Sequence, residues 1–213
     1  MNRKDKVKTH GVFVYGQYKP SDWFVDWLAS YSRGNYKEDK YALSRKFGAK
    51  YNVDDYQIQA ITGYDYHVDE KVVVTPEFGL RYNYIKREDY EDGAVQTVHG
   101  DHMNVLTAVT GAKLSTEFDF DENQLTRSGK VRPYIYLGAG YDMISDKDNA
   151  VVSLTNGSHY TIHGNQLDRF SVETKAGANI SFVDMIEVSL EYQGNFRGNY
   201  KSHAGIVEFK YRF

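Results

Sequence analysis

The chain has 213 residues with 18 Gly, 3 Pro and no Cys, which suits a single domain and excludes disulfide staples, thiolate metal sites and thiol chemistry. A formal charge of -3 at pH 7 gives no bulk basic field to attract nucleic acid, and a mean hydropathy of -0.62 without any long apolar run excludes a transmembrane helix, which needs about 20 such residues. Aromatics make up 15% of the chain, far from the ring-poor composition of disordered segments.

In chain order, residues 1–10 (MNRKDKVKTH) are charged and lack both the apolar segment and the small-residue cleavage site of a secretory signal peptide. They read as a charged leader, with the domain proper over residues 11–213. Residues 11–18, 23–32 and 56–66 follow as strand candidates of imperfect alternation. Residues 41–51 (YALSRKFGAKY) hold no single parity and are placed in a long protruding hairpin. From residue 72 the period-2 pattern is clear. Val74, Pro76, Phe78, Leu80, Tyr82 and Tyr84 oppose Thr75, Glu77, Gly79, Arg81 and Asn83. Residues 106–118, 131–141, 170–182, 186–193 and 205–213 repeat this division into one greasy and one ionic face. Nine strands and no convincing helix define an all-β chain.

Loop lengths choose between all-β architectures. The connections at residues 33–55, 86–103 and 145–168 are long, whereas those at 19–22, 68–71 and 183–184 are short. Residues 119–130 and 195–202 depart from that alternation. Long loops on one side and tight turns on the other are the habit of outer-membrane barrels. Phe118, Tyr141, Phe182, Tyr192, Phe209, Tyr211 and Phe213 sit on the apolar parity near strand ends, where membrane interfaces collect aromatic rings. The expected fold is an antiparallel up-and-down transmembrane β-barrel, its apolar face toward lipid and its ionic face toward an enclosed lumen. A soluble ligand-binding β-barrel, apolar side inward, is the other all-β reading.

The last strand, Val207-Glu208-Phe209-Lys210-Tyr211-Arg212-Phe213, resembles the terminal signature by which the barrel-assembly machinery reads bacterial outer-membrane barrels, with Phe209, Tyr211 and Phe213 as the assembly signal. Residues 11–18 (GVFVYGQY), Gly63-Tyr64, the Val74-Thr75-Pro76-Glu77 start of one strand and the Val131-Arg132-Pro133-Tyr134 start of another resemble recurring elements of the translocator β-domain of type V secretion autotransporters. The resemblance spans roughly residues 10–213. It implies a domain that sits in a Gram-negative outer membrane, contacts its lipid, and anchors and exports a passenger lying upstream; it implies no enzyme and no cofactor. That family's barrel has twelve strands and a pore helix, so the nine strands here are expected to be its C-terminal part, with about three strands absent. A free-standing outer-membrane barrel acting as adhesin or surface protease is the alternative.

The candidate functional set is the ionic face: Glu77, Arg81, Lys113, Glu117, Arg132, Glu173, Lys175, Glu187, Glu191, Glu208, Lys210 and Arg212. Both signs are present, so pairing across neighbouring strands is expected. In the family such residues hydrate the channel and hold the pore helix, while simple structural pairing accounts for them equally well. Other chemistry is weaker. Asp89, Glu91, Asp92, Asp101 and His102 share one long loop and would suit acid–base work on the rim, but read better as a solvated loop, and no nucleophile stands out. His99 with His102, and His159 with His163, have ligand-like spacing, yet an i, i+4 pair needs a helix, which Tyr160, Thr161 and Ile162 disfavour. Asp119 to Asn123 begins like a calcium loop but lacks its turn Gly and twelfth-position Glu. Asn156-Gly157-Ser158 reads as a β-turn. No metal site is expected.

Overall fold

The computed structural model describes residues 2–42, 45–93, 96–120, 129–147, 149–164, 168–182, 186–198 and 200–211. In chain order the elements are β1 (Asn2–Tyr18), β2 (Trp23–Ala42), β3 (Arg45–Tyr64), β4 (Tyr66–His67), β5 (Val72–Arg87), β6 (Tyr90–Glu91), β7 (Gln96–His99), β8 (His102–Thr116), β9 (Phe118–Phe120), β10 (Gly129–Ser145), β11 (Asn149–Leu154), β12 (His159–His163), β13 (Phe170–Phe182), β14 (Ile186–Arg197) and β15 (Tyr200–Tyr211). Nine long strands form one antiparallel sheet in the order β1-β2-β3-β5-β8-β10-β13-β14-β15, each next to its neighbour in sequence among the long strands. That is the up-and-down meander expected from the alternation.

The ladder carries one facing from strand to strand, because directly paired residues project to the same side. One row runs Trp27, Ala60, Leu80, Ala108, Tyr141 and Phe170. Trp27, Leu80, Tyr141 and Phe170 of that row are all exposed. The opposite row runs Phe24, Gly63, Glu77, Gly111, Gly138, Glu173 and Asn195. A single register slip at any strand would exchange the two sets; the bulge at Met143, between Asp142 and Ile144, absorbs the one irregularity recorded in β10 against β8.

The sheet is strongly curled. Strands lie about 4.8 Å apart, so β1 and β15, eight steps apart, would be separated by about 38 Å if flat. Instead the Tyr15 hydroxyl of β1 donates to Glu208 of β15 at 3.5 Å. The ionic face is therefore concave and the apolar face convex.

The structure alters several sequence expectations. The charged residues taken for a leader are paired: β1 begins at Asn2, and Asn2 to His10 run alongside Tyr41 to Arg33 of β2. The connection expected at 33–55 is ladder almost throughout, since β2 and β3 pair from Trp23↔Tyr64 to Ala42↔Arg45. The two other long connections contain strands too. They build a second sheet in the order β12-β11-β7-β6, which buries Val98 and Val152. It docks on the β2–β3 hairpin through Tyr90, whose ring stacks on Tyr51 at 4.5 Å while Tyr51 stacks on Tyr36 at 5.1 Å. The expected 106–118 strand ends at Thr116, with Phe118 in the short β9. At 195–202 the strands continue to Arg197 and from Tyr200, with Gly198 in the left-handed region at φ 49°. The Asn156 turn is as expected, Gly157 at φ 85° and the Ser158 amide donating to the Asn156 side chain at 3.0 Å.

Candidate functional site

The concave face gathers the expected ionic residues. Glu77, Arg81, Lys113, Arg132, Glu173, Lys175, Glu187, Glu191, Glu208 and Lys210 all share its parity through the registers. Glu117 follows the last residue of β8 and meets the Lys130 ammonium at 2.7 Å and the Arg132 guanidinium. Arg212 and Phe213 lie outside the described residues.

Pairing follows two patterns. Neighbouring strands supply Lys113 with Glu77 and Lys210 with Glu187, each at 3.9 Å, and Lys210 also meets Glu208 of its own strand at 3.2 Å. The curl adds two contacts between strands that are not neighbours, Arg81 with Glu173 and Tyr134 with Glu191, and bonds between directly paired residues surround them. Arg81 on β5 donates to Glu173 on β13 at 2.8 Å and to Gln59 at 2.8 Å. Asn195 adds a bond to Glu173 at 3.4 Å. Tyr134 on β10 donates to Glu191 on β14, and Lys175 stands over the Tyr136 ring at 5.3 Å. The Arg81–Glu173 bridge lines an interior cavity of about 690 Å³, which shares Gln59 and Lys175 with the wall of a second cavity of about 610 Å³. One opens toward Glu117 and Arg132 at the short-turn end, the other toward Tyr200 and Ser202.

Sequence reasoning missed several members of this face. Asp142 is fully buried, with Arg197 donating at 2.6 and 3.2 Å and the Thr107 hydroxyl at 2.7 Å. Asp142 and Arg197 fall just beyond the strand ends read from alternation, so only their parity pointed inward. Phe24 is an aromatic on the ionic side, lying against Gly63 with only 3% exposure.

The outer sheet assembles what no loop in the sequence shows. His99 Nε2 lies 2.9 Å from Ser153 Oγ, and His99 Nδ1 lies 3.3 Å from Asp89. His159 Nδ1 approaches the same hydroxyl at 2.8 Å. Asp89 also accepts the Gly100 amide at 2.7 Å, and these bonds, the amide foremost, hold its carboxyl below the ordinary 3.8. Distances alone would suit a nucleophilic triad. The surroundings do not. Ser153 sits within β11, flanked by Thr97 of β7 and His159 of β12, so its neighbourhood offers ladder-bonded amides rather than free donors for an oxyanion. Of the rim acids, Asp89 joins this cluster, and His102 instead neighbours Asp101 at 3.9 Å. His159 and His163 occur on a strand, four residues and about 13 Å apart, and His163 turns to Asn149 at 3.2 Å. Residues 121–123 of the calcium-like stretch lie outside the described residues.

Comparison with known proteins fits this geometry. Two relatives are outer membrane protein A of Rickettsia conorii and of Rickettsia rickettsii, each 25% identical over 99% of this chain. The putative surface cell antigen sca1 of R. conorii is also 25% identical, over 98%. The chain spans only about a tenth of these relatives, 11%, 10% and 11% of their lengths. Among solved structures, the translocator domain of the autotransporter NalP from Neisseria meningitidis superposes with a TM-score of 0.73 at 18% identity, covering 99% of this chain and 68% of that one. The transport unit of AIDA-I from Escherichia coli gives 0.59 at 13% identity, covering 99% and 84%. Both share the fold. With residues 2–193 matching the Autotransporter beta-domain model and a curled meander whose apolar side faces outward, the chain belongs to the autotransporter β-domain family and takes its place in the bacterial outer membrane.

Proposed function

We propose that the chain anchors an upstream passenger in the outer membrane and gives it a polar path across, with the concave ionic set holding that path hydrated. The observation that carries this is the opposition of the two faces: Leu137 and Val207 on the convex side are 64% and 74% exposed, while Arg81, Glu173 and Gln59 bond across the concave side. Exposed apolar surface on that scale is stable only against lipid. Phe209 and Tyr211 share the convex face and serve as the signal for the barrel-assembly machinery. The domain does no chemistry of its own.

The test fuses a reporter passenger upstream in the full-length protein and scores its sensitivity to external protease. Arg81→Gln with Glu173→Gln should leave outer-membrane insertion intact and slow export of the reporter. Normal export by this pair would leave the ionic set with a structural role alone. Reporter trapped in the periplasm despite an inserted wild-type domain would reject the export reading itself. The geometry of Ser153, His99 and Asp89 makes hydrolysis the one rival, and Ser153→Ala decides it. Ester-cleaving activity in the wild type that the substitution abolishes would establish a surface hydrolase.

A further inference from the structure

Above the membrane-facing girdle, the convex side carries an unneutralised row of lysines. The girdle is a chain of rings on β2, β3, β5 and β8: Tyr31 to Tyr56 at 4.9 Å, Tyr56 to Tyr84 at 6.0 Å and Tyr84 to His102 at 5.9 Å. Amphipathic rings of this kind settle at the membrane interface. Six residues further along the same parity, Lys37 of β2 stands directly opposite both Lys6 of β1 and Lys50 of β3. Lys8 follows on β1, opposite Asn35. Like charges directly opposed on a sheet destabilise it, yet three adjacent strands set theirs in line.

Among the described residues the nearby acids form no ion pair with these lysines. Glu88 is engaged by Arg33 and, at 2.7 Å, by Asn52; Asp89 is taken by Gly100 and His99. Asp39 and Glu91 border an adjoining cavity with Lys37 and Lys50. Among the described residues no ion pair is formed by Lys6, Lys8, Lys37 or Lys50. The four lysines instead line a cavity of about 490 Å³, with Glu88 and Asp89 at its side.

We propose that this row binds the phosphate groups of a sugar-bearing outer-leaflet glycolipid. Height selects that ligand. With a strand tilt of about 45°, six residues carry the lysines about 14 Å beyond the tyrosine rings. An ordinary headgroup layer adds only about 5–8 Å to each side of the hydrocarbon, so a compact phosphate head falls short and a phosphorylated sugar head reaches. Lysine stems can bend back by several ångströms to meet it. The row is thereby a lateral clamp on lipid, separate from the concave path, and rests on the outer-membrane placement.

The test folds the full chain into zwitterionic micelles and titrates it with a phosphorylated lipid A, its dephosphorylated counterpart, and inorganic phosphate as competitor. Lys37→Gln with Lys50→Gln should weaken binding of the phosphorylated lipid about tenfold. The charge-matched control Lys71→Gln with Lys147→Gln, at exposed sites elsewhere, should bind as wild type, and Lys37→Arg with Lys50→Arg should keep the affinity. Lys6→Gln, on the edge strand, provides a second and milder loss should the double variant fold poorly by circular dichroism. Equal binding of both lipids, or wild-type affinity in the Gln variants, overturns the proposal. Displacement of bound lipid by millimolar inorganic phosphate would reassign the row to a soluble anion. A chain that acquires β-structure without micelles would refute the membrane placement instead, a distinct result.

Discussion

Asp142 is the residue on which the concave face is most exposed to a single substitution. It has no solvent contact, and its charge is met by Arg197, whose side chain is 17% exposed, together with the Thr107 hydroxyl. A buried pair adds little net stability, but removing one partner strands the other charge without solvent, at a cost of about 3–5 kcal/mol. Arg197→Met should therefore lower the urea midpoint in micelles markedly, and adding Asp142→Asn to it should restore most of the loss. Equal destabilisation by the single and double variants would mean that the pair acts through packing alone. Asp89 provides the opposite case, an exposed carboxylate whose role is local. Its folded pKa lies below the ordinary 3.8, through the Gly100 amide first and His99 second. Its contribution is thus complete above about pH 4 and fades as pH falls through the lower folded value. Exchange of the Gly100 amide should be slow at pH 6, after correction for intrinsic rates, and should speed up toward pH 2 or in Asp89→Ala. An amide equally protected in that variant would show that the ladder holds the outer sheet unaided.

At the scale of the element, glycines decide how side chains cross the concave face. Gly111 and Gly138 are directly paired, and a Cβ on either would overlap the Tyr136 hydroxyl end. The Tyr136 ring thus lies along its own sheet, with Lys175 above it. Gly138→Val should cost about 1–3 kcal/mol by overpacking, readable as an earlier unfolding midpoint, and Tyr136→Ala in the same chain should recover part of it; no recovery would mean that the two positions do not share that space. Period-2 alternation made the six long strands from residue 72 onward legible, because each runs for twelve or more residues and holds its two faces, whereas β1, β2 and β3 were legible only in part. The shorter elements were not legible for the same reason. β6 has two residues, β7 four and β12 five, too few for a period to emerge from polar surroundings. Residues 2–10 hid in another way: Lys6 and Lys8 alternate with Val7 and Thr9, and charge on the convex parity reads as a leader until the ladder to β2 is seen. The Ser153, His99 and Asp89 contact needed a register between two connections 54 residues apart, which no local pattern encodes.

Across the whole molecule, the question is how nearly the sheet closes. β1 and β15 are the two ends of the long sheet, and unpaired backbone groups facing hydrocarbon cost several kcal/mol each. The curl brings them within side-chain reach, since Tyr15 meets Glu208 at 3.5 Å, yet no Cα of one lies within 8 Å of the other among the described residues. The ends therefore face each other across a gap too wide for a ladder, whose strands sit about 4.8 Å apart. The chain contains no cysteine, so a single engineered pair reports cleanly. Tyr15→Cys with Glu208→Cys should resist direct oxidation in micelles, because a disulfide needs Cα atoms within about 7 Å, and should be joined in high yield by a flexible bismaleimide. A direct disulfide would mean that the sheet closes on itself. Absence of both products would mean a flatter sheet, in which the concave face is not enclosed. Only the intermediate result keeps the path lined while leaving both edges free to pair with further strands, and amides at those edges should then exchange faster than amides of β5, β8 and β10, which are paired on both sides.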